Sequence, residues 1–295
     1  KFGRKQTLLD LKKLLDKADF IFHLAGINRT NKTEEFSEIN SGLTEQICNF
    51  LLDRSKKIPI VFASSIQAKQ NNDYGRSKLK AEELLISLEK NHKYPVIIYR
   101  LPNVFGKWCK PNYNSFIATF CSNIIKNKSI KIDNKSARVN LVHVDDVVKS
   151  FLDLLKVKKF NSVFEEVSPT YDKTVGEIAE LIKKFKESRK TNIIGNVGYG
   201  FERLLYSTYL SYLAPSDFSY KLNKNTDHRG YFAEILKTNE SGQFSCFTAH
   251  PGITRGEHYH HLKNEKFSKA RDYLKNRSLS KEEVKKFKIG YIGKN

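Results

Sequence analysis

"IPIVFASSIQAKQNNDYGRSKLKAEELLISLEKN", residues 58–91, changes its apolar spacing partway through, and that change sets the fold class. "IPIVFASS" is a short, nearly continuous run of β-branched and aromatic residues, as in a strand buried on both faces. From Tyr74 onward the apolar residues recur at helical spacing. The same alternation extends in both directions. Upstream, "TLLDLKKLLDKA" predicts a helix, "DFIFHLAG" a strand running into a loop, and "EEFSEINSGLTEQICNFLLDRS" a second helix. Downstream, "YPVIIYRLPNVFG" predicts a strand and loop, "NSFIATFCSNIIKN" a helix, and "VNLVHVDDVVKSFLDLLKV" a strand and helix. "NSVFEEVS" then reads as a strand and "TVGEIAELIKKFKES" as a helix. Strands that alternate with helices form a doubly wound parallel sheet, whose ligands sit beyond the C-terminal strand ends. "HLAG", "ASS" and "LPNVFG" fall at those ends.

The texture changes after about residue 190. Residues 192–220 form a Tyr-rich connection, and from Lys221 short strand-like runs are separated by the turn signals "DHRG", "NESGQ" and "HPGITRG". The expected division is an α/β domain over 1–214, a small β domain over 215–267 and a basic helical tail over 268–295. No flexible linker separates the first two.

The 295 residues are 39% hydrophobic and 28% charged, the balance of a globular chain with real cores. No apolar run reaches the ~18–20 residues that cross a bilayer, and the first twenty residues lack a signal-peptide pattern, so a cytoplasmic protein without a membrane partner is expected. The four cysteines form no C-x-x-C pair and are read as reduced thiols. A formal charge of +20 raises the question of a polyanionic partner. The lysines are spread along the whole chain without an aromatic-interleaved stripe, so they read as solvated helix faces and do not call for nucleic acid. The chain contains no Met, even at position 1, from which Lys1 is expected to lie inside a longer parent protein.

Ser65 closes the strand "IPIVFASS", Tyr74 opens the next helix, and Lys78 follows four residues later on the same helix face. A phenol with a nearby ammonium and a neighbouring hydroxyl can protonate and hold a carbonyl oxygen as it gains negative charge. Ser64 is the weaker hydroxyl candidate. This set resembles the extended short-chain dehydrogenase/reductase family. The resemblance covers residues 5 to 190 and implies that Ser65, Tyr74 and Lys78 are catalytic. In these roles Tyr74 is the proton donor, Ser65 holds the carbonyl oxygen, and Lys78 lowers the Tyr pKa and binds the nicotinamide ribose. It further implies a Rossmann-like fold, with Leu24, Ala25 and Gly26 of "HLAG" beside the cofactor's ribose and adenine. Leu101, Pro102 and Asn103 of "RLPNVFG" would lie near the nicotinamide, with Asn103 also touching substrate.

Two departures from the family qualify this reading. Sugar-nucleotide 4,6-dehydratases carry Asp-Glu after the active-site hydroxyl residue, whereas Ile66 and Gln67 stand here, which argues against dehydration. No G-x-x-G-x-x-G phosphate loop appears near residue 1, so the family's N-terminal strands and cofactor anchor are expected before it. Weak NADPH affinity and an exposed apolar sheet edge would follow. His23 and His143 read as structural histidines, and Asp145 and Asp146 as N-caps. Arg138 stands one residue from the place where relatives carry a phosphate-binding Arg, and Lys107, in the Trp-bearing loop "GKWCKPNYNS", suits a diphosphate.

In "PGITRGEHYHHLKNEKF", residues 251–267, His258 and His260 share one face of a strand, and Glu265 can return to the same point. Two imidazoles and a carboxylate suit Zn or a similar divalent metal. The stretch resembles the first cupin motif. A reductase domain followed by a partial cupin resembles the bifunctional capsular polysaccharide enzymes of the UDP-N-acetyl-L-fucosamine pathway. That resemblance implies NADPH-dependent reduction of the 4-keto group of a UDP-2-acetamido-2,6-dideoxy-hexulose, with the cupin acting at C3. For the complete parent it implies a homo-oligomer. No His follows His261, and residues 268–295 instead resemble a DNA primase segment. The competing expectations are an NAD-recycling sugar-nucleotide epimerase and an inactive, basic, nucleic-acid-binding fragment.

Overall fold

The computed structural model describes residues 1–3, 5–160, 163–239 and 242–251, and its chain divides into two compact units, Lys1–Ser219 and Tyr220–Asn295. The first unit opens with α1 (Leu8–Asp16), β1 (Ile21–His23), the short α2 (Glu34–Phe36) and α3 (Leu43–Leu52). Next come β2 (Ile60–Ser65), α4 (Asp73–His92), β3 (Val96–Leu101), β4 (Asn103–Phe105) and α5 (Phe116–Ile125). It closes with β5 (Arg138–His143), α6 (Val144–Asp153), β6 (Phe164–Glu165), β7 (Thr170–Thr174), α7 (Val175–Thr191) and α8 (Gly200–Leu210).

The main sheet has the order β1-β2-β3-β6, all parallel. Alternate residues of its central strands enter different cores, which explains why "IPIVFASS" lacks a polar face. Ile60, Phe62, Val96 and Ile98 pack with Leu11 and Leu15 of α1, Ile47 and Leu51 of α3, and Ala81 and Leu85 of α4. Val61, Ile97 and Tyr99 point the other way, toward Val147 and Phe151 of α6. The α/β reading therefore holds: one parallel sheet covered by helices on both faces.

Of the strand and loop expected over residues 94–106, the strand ends at Leu101, and the expected loop holds a further strand after Pro102. Pro has no N–H for the ladder, and the chain leaves the main sheet there to begin a second one. That sheet has the order β4-β5-β7, with β4 and β5 parallel and β5 and β7 antiparallel. Its core joins Phe105 and Leu141 to α5, α7 and α8. α8 lies within the stretch expected to be a connection. Leu205 and Tyr209 from its apolar side are buried there, so tertiary packing supports a helix that lacks a side-chain N-cap.

The second unit contains an antiparallel meander of β8 (Lys224–Asp227), β9 (Gly230–Thr238) and β10 (Gly242–Phe247), with a register shift between Phe244 and Ser245. These are the strand-like runs expected between the turn signals. The expected metal ligands His258, His260 and Glu265, and the tail 268–295, lie outside the described residues. No helix among the described residues is long and apolar enough to cross a membrane.

Candidate active site

β2, β3 and β1 all end on the same side of the main sheet, and their C-terminal loops line a cavity of ≈ 610 Å³. Leu24, Ala25, Gly26, Ser65, Tyr74, Lys78, Leu101, Pro102 and Asn103 all line it. A larger, more apolar cavity of ≈ 1070 Å³ lies along the same β1 loop, sharing Leu24 to Ile27.

α4 begins where Asn72 accepts a hydrogen bond from Gly75 N at 2.7 Å, a side-chain N-cap that fixes the first turn. Tyr74 stands in that turn. Before it, Ser65 Oγ accepts from Gln67 N at 3.2 Å and caps the 3₁₀ turn Ile66–Lys69. The two caps set Ser65 and Tyr74 on the wall of one cavity. Both serines border the cavity, but Ser64 is buried and its hydroxyl donates to Glu82, whereas the half-buried Ser65 keeps its hydroxyl hydrogen for a ligand.

Lys78 is buried one turn past Tyr74. Its Nζ donates to Ala63 O at 2.7 Å and stands 4.2 Å from the centre of the Phe62 ring. Burial lowers the ammonium to about 8, partly opposed by Glu82. The net shift of the phenol is opposite to the lowering expected from Lys78. Burial raises Tyr74, and Ser65 is the group that opposes the rise. Tyr74 therefore holds its proton at neutral pH, the state an acid requires.

Asn40 braces the opposite wall. Its Oδ1 accepts from Ile27 N at 2.8 Å, and its Nδ2 donates to Ile27 O at 3.0 Å and to Ser77 Oγ at 2.9 Å. Ser77 is on α4, so Asn40 links the β1 loop to that helix. His23 is buried against Thr44 Oγ1 at 2.8 Å, and burial, aided by Lys78, lowers it to about 3. It is a neutral structural imidazole, as expected. His143 caps α6, its Nδ1 accepting from Asp145 N at 3.3 Å. This corrects the assignment of that cap to Asp145 or Asp146. Asp145 instead pairs with Lys107 at 3.2 Å.

Lys107 and Arg138 are absent from the described residues lining the cavity. Lys107 is held by Asp145 and stands 5.2 Å from the Trp108 ring, which is 81% exposed. Arg138 pairs with Asp172 across β5 and β7, with Nη2 at 3.0 Å. The sequence reading also missed the fully buried Glu82 carboxylate, which Arg100 grips through Nε at 3.0 and 3.1 Å and Nη2 at 2.6 Å. The available signal was its place four residues after Lys78 on the same helix face. Among the described residues, no group of three or more His, Cys, Asp or Glu is arranged to hold a metal.

Known proteins are similar to this chain over much of its length. A UDP-2-acetamido-2,6-beta-L-arabino-hexul-4-ose reductase from Pseudomonas aeruginosa is 51% identical over 266 residues, covering 90% of this chain and 72% of the relative. The crystal structure of the capsular polysaccharide assembling protein CapF from Staphylococcus aureus aligns with a TM-score of 0.77 at 43% identity, covering 85% of this chain and 69% of that one. A UDP-glucuronic acid 4-epimerase from Bacillus cereus, solved with UDP-glucuronic acid and NAD, aligns with a TM-score of 0.56 over 62% of this chain and 64% of its own. At 19% identity, that likeness shows the fold. The polysaccharide biosynthesis C-terminal domain matches residues 225–291. The NAD dependent epimerase/dehydratase family model matches residues 6–165, across β1 to β6 and every wall of the cavity. With the relative at 51% identity, this shows that the chain belongs to the NAD dependent epimerase/dehydratase family.

Proposed function

We propose that the first unit reduces the 4-keto group of a UDP-2-acetamido-2,6-dideoxy-hexulose with NADPH, in the synthesis of a capsular or surface polysaccharide precursor. The observation that carries this reading is the meeting of Ser65, a protonated Tyr74 and a buried Lys78 at the strand ends of one cavity. The β1 loop fits the approach of a flat cofactor ring. A Cβ on Gly26 would come within 2.9 Å of Asn40 Oδ1 and 3.8 Å of Lys78 Nζ, so bare backbone faces the Lys78 ammonium there.

When bound, the dinucleotide supplies the two electrons of the reduction. Ser65 donates a hydrogen bond to the substrate's carbonyl oxygen, and Tyr74 gives its phenol proton to that oxygen as it becomes an alkoxide. The Lys78 charge then offsets the phenolate left on Tyr74. In the same reading Lys78 holds the nicotinamide ribose, Leu24, Ala25 and Gly26 flank the cofactor, and Leu101 and Pro102 form the wall beside Asn103. Lys107 and Arg138 serve the diphosphate by exchanging their carboxylate partners for it. Gln67 lines the cavity as a neutral amide, which favours reduction over elimination. The test is cofactor consumption with a UDP-linked 4-keto-6-deoxy sugar. Stoichiometric NADPH oxidation is expected, and sugar interconversion without net oxidation would favour an epimerase.

For the second unit the reading is a metal-bearing domain acting at C3, with His258, His260 and Glu265 as ligands. Bound zinc measured by mass spectrometry should fall to background in His258→Ala, and equal metal content in both proteins would remove that assignment.

A further inference from the structure

α4 carries a third functional group in line with Tyr74 and Lys78. Glu82 is one turn beyond Lys78, and its side chain is 0% exposed. It accepts from Ser64 and from Arg100, which are cross-strand partners on β2 and β3, so one carboxylate joins the ends of both strands to the helix. Ser64 adjoins Ser65, so its tie to Glu82 anchors the end of β2 that carries Ser65 at the cavity. A buried ion pair is a weak device for stability alone, because well-packed apolar side chains often replace one without loss. A charge retained here points to a use for the charge itself.

The titratable and charged groups around Lys78 are few. Tyr74 and Glu82 come from its own helix, neutral His23 comes from β1, and Arg100 from β3 is already gripped by Glu82. The other contacts of the Lys78 Nζ are a carbonyl and a ring face. Among these groups Glu82, one helical turn from Lys78 on the same face, is the carboxylate that acts on the ammonium, although it shares its charge with Arg100. We propose that Glu82, clamped by Arg100, is the positioning residue that holds the Lys78 ammonium in its charged form and turns Ser65 toward the substrate. This rests on the reductase reading of Tyr74 and Lys78.

The test compares Glu82→Gln, which removes the charge at constant shape, with Glu82→Asp, which keeps it. The first readout needs no cofactor. Lys78 titrates at about 8 when folded and at 10.5 when free, so the unfolded chain binds the extra proton between those values and stability rises with pH across that window. In Glu82→Gln the onset of that rise should fall by about one pH unit, the usual effect of losing a near opposite charge. The alkaline limb of kcat/KM should move with it, giving about a tenfold loss at pH 8.5 but less than about twofold at pH 6.5. Glu82→Asp should keep both transitions near their wild-type positions. An equal loss at both pH values, an unmoved onset of the stability rise, or as large a shift in Glu82→Asp would each overturn the proposal. If Tyr74→Phe retained turnover, the reductase reading would fail, and the stability profile would still decide whether Glu82 controls the Lys78 charge.

Discussion

Gly75→Ala tests how closely Tyr74, the proposed proton donor, is held against the turn that follows Ser65. Gly75 follows Tyr74 in the first turn of α4, and a methyl on it would lie 2.3 Å from Gln67 O and 2.5 Å from Gln70 O. Ordinary contact begins at 3.4 Å, and both oxygens belong to the backbone, so they cannot swing aside. The first turn must then retreat from residues 66–70 by about 1 Å, a misplacement that can cost about 100-fold in rate. Overpacking costs about 1–3 kcal/mol, and the better helix propensity of Ala offsets up to about 1 kcal/mol. The net loss of about 1–2 kcal/mol corresponds to a fall in Tm of about 2–8 °C for a unit of this size. Calorimetry and NADPH oxidation at saturating cofactor measure the two effects. An Ala variant with wild-type Tm and turnover would refute the close approach of this turn to the carbonyls after Ser65.

Arg100→Ala leaves the buried Glu82 carboxylate without its guanidinium and should destabilise the protein by about 3 kcal/mol, measurable by urea unfolding at pH 7. His23 titrates at about 3 when folded and 6.5 when free, so the unfolded chain takes up the extra proton as pH falls below 6.5. Stability should drop by about 2 kcal/mol between pH 8 and pH 5 from this group, and His23→Gln should remove that part of the slope. Ser65→Ala, which deletes one donor to the developing oxyanion, should lower kcat by about 100-fold with a smaller change in KM.

The residues that make the site legible in the sequence are those whose placement is local. Ser65 at a strand end, and Tyr74 and Lys78 one helical turn apart, need only the periods of strand and helix to be brought together. Leu24 to Gly26 and Leu101 to Asn103 needed one further rule, that parallel strands end on the same side. Glu82 and Arg100 were hidden because their contact depends on the register of β2 against β3 and on the packing of α4 above both, which spacing does not encode. Pro102 was visible, but its effect was not: the stretch after it, read as a loop, is a strand of a second sheet. α8 lacks a capping signal and owes its helix to Leu205 and Tyr209 in a core assembled from distant segments. Partial burial of Tyr74 likewise raises its pKa where a lowering was expected, and the Lys78 Nζ is bonded to Ala63 O.

The central claim, that Tyr74 protonates the reduced carbonyl oxygen, is tested most directly by the Tyr74→Phe variant. Phe keeps the ring and its edge-on contact with Phe36 at 6.0 Å between centroids, and removes only the acid. With a UDP-linked 4-keto sugar, NADPH oxidation should fall by about 10²–10⁴-fold while Tm stays near that of the wild type. Turnover within about threefold of wild type, against the contribution expected of a general acid, would contradict the account.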